Sequence, residues 1–486
     1  MTDFDKDLMS IQETRNLIAK AKKAQEIYKT FSQEKVDMIV KEVAIAAEKE
    51  SIKLAKMAWE ETGFGRWQDK IIKNQFASKV VYDYIKDLKT VGIINEDKVN
   101  KFFEVAVPVG VVAALIPSTN PTSTTIYKTL IALKSGNGIV ISPHPNAKKC
   151  IVETAEILNE AAEKAGAPKG LIGCITIPSI EATNVLMKHE DISLILATGG
   201  EAMVKAAYSS GKPAIGVGPG NGPAFIEKSA NISLTVKRIL DSKTFDNGLI
   251  CASEQSIVAE RIIKNAVIAE LKKQGAYFLD AEESIKLGKF ILGTNGNMNP
   301  KIVGKSVEAL ASMAKLDIPS GVKVLISEQS TVGENNPYSM EKLTPILAFY
   351  TVDNVEEGIK LCTELLMNEG KGHTLILHSE DERVIREFGL RIPVSRLLIN
   401  TSGSLGGIGA TTNLVPALTL GCGAVGGSST SDNVGPMNLL NIRRVAYGVK
   451  ELEELRRADG VHPAASDEYL ELIISTVVQR LSVLNK

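Results

Sequence analysis

Through about the first 90 residues, apolar side chains recur at the three- and four-residue spacing that places them on one face of a helix. One such run is Val36, Ile39, Val40, Val43 and Ala44. The pattern changes near residue 102, where two apolar runs, 102–107 and 109–116, are separated by Pro108. Short apolar runs bounded by proline are typical of strands. The sequence therefore predicts helices over about 4–90, followed by strands.

Between about 109 and 400, short apolar runs alternate with helical segments. These runs include 138–142, 171–175, 194–197 and 224–226, and a second alternating block follows residue 251. Strands that alternate with helices indicate parallel sheets with crossover connections, so we predict an α/β fold. Residues 403–436 are rich in Gly, Ser and Thr but also contain Leu, Val and Pro, so we expect ordered loops and a ribbon there.

The last segment of the chain has a different pattern. Residues 456–468 have the composition of a linker, and Ser466 or Asp467 could cap a helix after it. Apolar residues then recur on one helical face, at Leu470, Ile473, Ile474, Val477, Val478, Leu481 and Leu484. Two interpretations stay open. The helix docks on its own subunit, or it is a detachable amphipathic peptide that lies in a groove of a partner.

Composition narrows the function classes. With 486 residues, the chain is too long for one ordinary core, and two or three domains are expected. A formal net charge of −1 shows no excess of positive charge for binding nucleic acid or an anionic membrane. The sequence predicts neither a signal peptide nor a membrane-spanning segment. The 5 cysteines and 5 histidines are scattered, which predicts reduced thiols in the cytoplasm and no catalytic metal.

Three glycine-rich segments differ in what they predict. Residues 194–207 read as strand, Gly-Gly turn and helix, so a helix N-terminus could face a cofactor there, although a turn without a ligand has the same pattern. The run 216–222 is dense enough in glycine to suggest close approach by a ligand or another loop. The letters of a dinucleotide fingerprint occur in 421–426, but Ser- and Thr-rich residues follow where a helix should begin, so we reject it.

Cys251 follows a Gly-containing turn and precedes small and polar residues. That context suits a thiol that a ligand can reach, and a thiolate is a strong nucleophile. Taken alone, a cysteine is more often a small buried hydrophobic residue. Segments distant in the sequence favour the reactive thiol over the buried hydrophobic residue.

Those segments resemble the CoA-acylating branch of the aldehyde dehydrogenase superfamily, and the resemblance covers about residues 10–450. It is carried, in order, by 117–124, 142–145, 197–200, 216–221, 244–256, 341–345, 372–374 and 419–423. The closest likeness is to the aldehyde-dehydrogenase half of bifunctional alcohol/aldehyde dehydrogenases and to stand-alone acetylating enzymes. The iron-dependent half of the bifunctional relatives has no counterpart in this sequence.

The resemblance implies three structural parts. They are a Rossmann-type cofactor domain, an α/β catalytic domain with Cys251, and a small β-ribbon for oligomerisation. We expect the cofactor domain over 1–228 with ribbon residues at about 92–112, the catalytic domain over 229–404, a return to the cofactor domain and ribbon over 405–450, and the linker and helix over 451–486.

The resemblance also implies roles for site residues. Cys251 would attack the aldehyde, while the side chain of Asn120 and the backbone N–H of Cys251 would stabilise the oxyanion. Glu341 would hold the nicotinamide ribose of NAD. The adenosine half and the phosphates would contact the remaining predicted residues, which are Ser142, His144, Pro145, Thr198, Gly199 and Gly218.

One departure from the wider superfamily points to coenzyme A. Hydrolytic members carry a glutamate that activates water, but the matching stretch 216–221 has no carboxylate. General-base help is worth about 10²–10⁴-fold, so a thioester on Cys251 should survive water and pass to the CoA thiol. His373 matches a histidine of the acylating branch that could handle the thiol proton, although a lone histidine is more often structural.

We therefore expect the reaction of an aldehyde, NAD⁺ and CoA to give acyl-CoA and NADH, with acetaldehyde as substrate. Alternatives are succinate semialdehyde, sulfoacetaldehyde or propionaldehyde, a hydrolytic dehydrogenase, and a non-catalytic cargo protein of a bacterial microcompartment. The linker and helix resemble encapsulation peptides, so residues 468–486 could bind a shell or cargo partner. A homodimer or higher homo-oligomer is expected.

Overall fold

A computed structural model describes residues 5–293, 298–458 and 467–484. The helices are α1 (Lys6–Tyr28), α2 (Gln33–Lys49), α3 (Ser51–Thr62), α4 (Trp67–Gln75), α5 (Val81–Ile85), α6 (Pro121–Lys134), α7 (Lys148–Lys164), α8 (Ile180–Lys188), α9 (Glu201–Tyr208), α10 (Ile232–Thr244), α11 (Lys264–Lys273), α12 (Ala281–Ile291), α13 (Val307–Ala314), α14 (Val355–Asn368), α15 (Glu382–Arg391), α16 (Gly403–Gly407), α17 (Leu452–Ala458) and α18 (Asp467–Leu484). A π-helical turn, Phe76–Val80, joins α4 to α5.

The strands are β1 (Gly92–Asp97), β2 (Phe102–Pro108), β3 (Val111–Ile116), β4 (Gly138–Pro143), β5 (Ile172–Cys174), β6 (Ile192–Thr198), β7 (Ala214–Val217), β8 (Gly222–Ile226), β9 (Glu254–Glu260), β10 (Ala276–Phe278), β11 (Val324–Glu328), β12 (Ile346–Val352), β13 (Gly372–His378), β14 (Val394–Ile399) and β15 (Leu440–Ala446). They form a five-stranded sheet in the order β5-β4-β3-β6-β7, a seven-stranded sheet in the order β10-β11-β12-β9-β8-β13-β14, and a three-stranded sheet in the order β1-β2-β15.

The two larger sheets are parallel, as the alternation of strands and helices predicts. Every residue of β3 and β4 is buried. Strands covered on both faces have continuous apolar runs, which is why these two were recognisable in the sequence. The predicted α/β fold class is confirmed.

The helices that cover these sheets follow the expected amphipathic pattern. In α2, the hydroxyl of Ser32 caps the N-terminus by accepting from the backbone N–H of Lys35. The apolar face of α2 is buried through Val36, Ile39, Val40, Val43, Ala44 and Ala47. None of the helices in the described residues is long and apolar enough to cross a membrane.

The described chain forms two compact units, one of residues up to 92 with 107–441 and the other of 93–106 with the residues from 442 onward. In the second unit, Arg444 Nε lies 3.0 Å from a carboxylate oxygen of Glu104, which links β15 to β2. The predicted domain boundaries remain predictions. β8, which lies before residue 228, pairs with β9 and β13 in the seven-stranded sheet.

The predicted C-terminal helix is present as α18. Its apolar side chains from Leu470 to Leu481 are each about half exposed. The proposed cap Ser466 and most of the proposed linker lie outside the described residues, as do the last two positions of the segment 468–486.

Candidate active site

The carboxyl ends of β3, β4, β6 and β7 open into a cavity of about 740 Å³. Each strand is followed by a loop that lines the cavity, because the carboxyl ends of parallel strands meet at one edge of a sheet. The turn before β9 closes the opposite wall. This is the position at which open α/β sheets bind their ligands.

Nine of the ten residues predicted for the site line this one cavity. They are Cys251, Asn120, Ser142, His144, Pro145, Thr198, Gly199, Gly218 and Glu341. The tenth, His373, lies behind Cys251 on β13. The structure thus brings the predicted residues together, and their individual roles remain predictions.

Cys251 lies in a turn that ends at β9, where the backbone N–H of Ser253 donates to the carbonyl of Ile250. The residue is partly exposed. Burial of the thiol, followed by the nearby Glu341 carboxylate, raises its pKa to about 12. The group is therefore a neutral thiol at pH 7, and a base is needed to turn it into a nucleophile.

That base is in contact with it. The Nε2 atom of His373 lies 3.2 Å from Cys251 Sγ, and its Nδ1 atom lies 2.9 Å from the hydroxyl of Thr374. Burial, followed by the charge of Arg396, lowers the pKa of His373 to about 3, so the imidazole is neutral. With its hydrogen on Nδ1, the ring accepts the thiol proton at Nε2, and with its hydrogen on Nε2 it donates to a thiolate.

Arg396 holds this histidine in place. Its guanidinium donates to the carbonyl of His373 at 3.0 Å and to the carbonyl of Gly421 at 2.7 Å, and its Nε lies 3.4 Å from the Thr374 hydroxyl. Only 4% of Arg396 is exposed. Arg396 was not predicted, because a single arginine in the strand 394–399 does not indicate which face of the sheet its side chain lies on.

Asn120 is fixed at both ends of its amide. Pro121 occupies the first turn of α6, so Asn120 stands at the N-cap position with its side chain free of the helix. Its Oδ1 accepts from Lys73 Nζ at 2.6 Å, and its Nδ2 donates to the carbonyl of Leu249 at 3.1 Å. The N–H face of the amide is therefore on the side of the Cys251 turn.

Glu341 is 5% exposed and accepts from the backbone N–H of Gly220 at 2.9 Å. Burial, followed by the Glu369 carboxylate, raises its pKa to about 8. The carboxyl group is mostly protonated at pH 7, so at that pH it is able to donate a hydrogen bond as well as accept one.

The loop 216–221 is approached by another loop, which is one of the two expectations for it. A Cβ on Gly220 would lie 2.0 Å from the carbonyl oxygen of Cys251, so only glycine fits. A Cβ on Gly218 would have open space for 4 Å. The rejected fingerprint 421–426 is a loop packed on β13, where a Cβ on Gly372 would lie 1.9 Å from the carbonyl of Cys422.

The sheet edge fits a nucleotide. The hydroxyl of Thr198, at the end of β6, is buried and has no hydrogen-bond partner among the described residues. A buried hydroxyl without a partner beside a cavity suits a polar ligand such as a phosphate. Across the described ranges, no three His, Cys, Asp or Glu side chains converge on a metal-sized point.

Comparison with known proteins gives the context of this site. The profile described as "Aldehyde dehydrogenase family" matches residues 8–408. The bifunctional aldehyde-alcohol dehydrogenase of Escherichia coli strain K12 is 46% identical over 442 residues, which are 90% of this chain and 50% of that protein. The chain thus spans about half the length of this relative. An acetylating succinate-semialdehyde dehydrogenase of Clostridium kluyveri is 39% identical over 90% of this chain and 96% of its own.

Solved structures agree. A probable aldehyde dehydrogenase from Listeria monocytogenes EGD-e is 67% identical, with a TM-score of 0.92 over 93% of this chain and 100% of its own. An acetylating aldehyde dehydrogenase from Geobacillus thermoglucosidasius is 56% identical, with a TM-score of 0.91 over 92% of this chain and 99% of its own. A propionaldehyde dehydrogenase from the fucose utilisation microcompartment of Clostridium phytofermentans is 28% identical, with a TM-score of 0.81 over 90% and 97%.

Proposed function

The chain belongs to the aldehyde dehydrogenase family, and from that premise we propose that it is a CoA-acylating aldehyde dehydrogenase. It converts a short aldehyde, NAD⁺ and CoA to acyl-CoA, NADH and a proton, and the reaction is reversible. The observation that carries the proposal is the contact of 3.2 Å between His373 Nε2 and Cys251 Sγ at the wall of a nucleotide-sized cavity.

The first step forms a bond between sulfur and carbon. Nε2 of His373 takes the proton of the Cys251 thiol, and the thiolate attacks the carbonyl carbon of the aldehyde. The electron pair of the carbonyl π bond moves to oxygen, giving a thiohemiacetal oxyanion. Asn120 Nδ2 donates to that oxygen, and a donor of this kind is worth about 2.7–4 kcal/mol of barrier.

The second step is oxidation. A bound nicotinamide nucleotide would supply the hydride acceptor, and loss of hydride from the thiohemiacetal carbon would turn its C–O bond into the carbonyl of a thioester on Cys251. Thr198 and Ser142 line the sheet edge where its polar groups would lie, and Glu341 lines the same cavity. A related structure with bound CoA and another with bound NADP⁺ support the CoA and the nucleotide requirement.

The third step transfers the acyl group. No acidic side chain occurs in 216–221, so the carboxylate that activates water in hydrolytic members of the family is lacking there. After the first proton has left to solvent, His373 Nε2 takes the proton of the CoA thiol. The CoA sulfur attacks the thioester carbonyl, and Cys251 leaves as a thiolate that recovers this proton.

The cavity favours a small uncharged aldehyde, and we propose acetaldehyde. The apolar side chains that line the cavity include Leu249, Leu343, Ile408, Leu418 and Leu420. Lys73 and His144 are the only basic side chains among the lining residues of this cavity, and the ammonium group of Lys73 is occupied by Asp246 and Asn120. Succinate semialdehyde or sulfoacetaldehyde would bring a charge that no cation there is free to meet.

The test is NADH formation across a panel of aldehydes, with and without CoA, for wild type and C251A, with NADP⁺ as an alternative to NAD⁺. We expect CoA-dependent NADH formation that is fastest with acetaldehyde and absent in C251A. A full rate without CoA would establish the hydrolytic alternative. No activity in wild type with any aldehyde would support the non-catalytic cargo protein.

We further propose that the chain forms homo-oligomers through the ribbon β1-β2-β15 and that α18 binds a microcompartment shell or cargo partner. The half-exposed apolar side chains of α18 and the microcompartment origin of one structural relative support this. Deleting residues 460–486 should leave the rate of NADH formation unchanged and abolish co-purification with shells. Loss of solubility or of the oligomer would instead favour a helix docked on its own subunit.

A further inference from the structure

A cluster of buried charges lies beside Asn120. Lys70 and Lys73, both on α4, are 3% and 2% exposed, and Asp246 is fully buried. Asp246 Oδ2 accepts from Lys70 Nζ at 3.0 Å and from Lys73 Nζ at 2.5 Å. Burying charges is costly unless they are paired and hydrogen-bonded, so a cluster with two ammonium groups and one carboxylate calls for an explanation.

Only one member of the cluster reaches the site. Lys73 lines the cavity and donates to Asn120 Oδ1 at 2.6 Å. Lys70 instead donates to the main-chain carbonyl of Thr119 at 3.3 Å. The two lysines share a helix and a carboxylate, and they differ in whether they touch the side chain of Asn120.

We propose that Lys73 is a positioning residue for the oxyanion site, whose ammonium group holds Asn120 with its N–H donors toward the oxygen of the aldehyde bound to Cys251. This inference rests on the proposed function. An asparagine amide has two orientations of nearly the same shape, related by exchange of O and NH₂. The reversed orientation would place NH₂ against the ammonium group and the amide oxygen against the oxyanion, so Lys73 selects the productive one.

The contact also strengthens the donor. A hydrogen bond accepted at Oδ1 polarises the amide, which makes the N–H groups better donors in a site of low dielectric. The ammonium group of Lys73 lines the cavity beside Asn120, so its positive charge favours the thiohemiacetal oxyanion over the neutral aldehyde.

Asp246 connects this device to the nucleophile. It lies five residues before Cys251 and adopts the left-handed conformation, with φ 49° and ψ 36°. Its Oδ1 accepts from the backbone N–H of Arg66 at 2.7 Å, and its own N–H donates to Asp69 at 2.9 Å. The Asp246 carboxylate therefore connects the segment that carries Cys251 to Lys73, which in turn contacts Asn120.

The experiment is a double-mutant cycle between K73M and N120A on the full chain, with K70M as the matched control. For K73M we expect kcat to fall by about 10–100-fold, somewhat less than the roughly 10²–10³-fold loss on removing an oxyanion donor, with little change in KM for CoA and NAD⁺. In the N120A background, K73M should change kcat by less than about threefold, because Lys73 acts through Asn120. K70M should keep kcat within about threefold of wild type.

Two further measurements separate positioning from folding. K73Q keeps a hydrogen-bond donor without the charge, so it should recover part of the activity that K73M loses. If K73M does not fold, K73Q replaces it in the double-mutant cycle with N120A. A crystal structure of the K73 variant that folds should show the Asn120 amide rotated away from the carbonyl of Leu249. A folded K73M with the kcat of wild type, or a K73M effect of equal size in the N120A background, would overturn the inference. An inactive wild type would overturn the proposed function instead.

Discussion

His373 Nε2 and Cys251 Sγ lie 3.2 Å apart, although the two residues are 122 positions apart in the sequence. The neutral imidazole, with a pKa lowered by burial, meets a thiol with a pKa raised by burial. At rest the proton is therefore on sulfur, and His373 Nε2 is positioned to accept it.

Replacing His373 by alanine removes the only base in contact with the Cys251 thiol among the described residues. We expect kcat for NADH formation to fall by about 10²–10⁴-fold, the usual contribution of a general base. H378Q is the matched control, because His378 is equally buried at the other end of β13. An unchanged kcat in H373A would remove His373 from the mechanism.

The stability of the protein should fall in acid because of His378. Burial, followed by Arg238, lowers its pKa to about 3. The unfolded chain has a pKa near 6.5 for histidine, so it binds protons that the folded protein does not bind as the pH falls below 6.5. From pH 7.5 to 5.5, wild type should lose about 1.4 kcal/mol more unfolding free energy than H378Q. Urea titrations at both pH values measure this, and equal losses would contradict it.

Gly220 should tolerate no side chain. In G220A the Cβ would lie 2.0 Å from the carbonyl oxygen of Cys251, so the turn that carries the thiol must move. We expect a loss of kcat of about 10²-fold or more, since small displacements of a reacting group have large effects on rate. G389A is the control, because its Cβ would meet its nearest neighbour at 3.9 Å. If alkylation of Cys251 by iodoacetamide and kcat both match wild type, the turn is not displaced.

Nucleotide binding should depend on the ionisation of Glu341. Its pKa of about 8 means that the carboxylate forms as the pH rises from 7 to 9, and an ionised acceptor binds ribose hydroxyls more strongly than a neutral one. We expect the Kd of NADH, measured by nucleotide fluorescence, to fall severalfold over this range in wild type. The same Kd should stay constant in E341Q. A parallel pH dependence in the variant would place the titrating group elsewhere.

The sequence predicted most of the fold, and the reason is visible in β3 and β4. Both are buried along their whole length, so each is a continuous apolar run that pattern analysis recognises. Ten site residues were predicted through their family motifs, and the structure places nine of them in one cavity.

The supporting charges were not predictable, and α4 shows why. Its buried side chains are Lys70, Lys73 and Asn74, whereas Ile72 is half exposed. The hydrophobic pattern would predict that the face with Ile72 is buried, and that prediction is wrong. The buried charges are stabilised by Asp246, which is more than 170 residues away in the sequence. Arg396 was not predicted either, because the carbonyl of Gly421 that accepts from its guanidinium is distant in the sequence.

The open space around Gly218 has a metabolic consequence. A Cβ at that position would meet no atom within 4 Å, so the fold leaves room there for at least the first atom of a side chain. Under the proposed function, a carboxylate placed there would promote hydrolysis of the thioester on Cys251 to a free acid, and the free energy of the thioester would be lost. Under the same proposal, a glycine there retains the free energy of aldehyde oxidation in a thioester, which can still drive the synthesis of ATP or of carbon–carbon bonds.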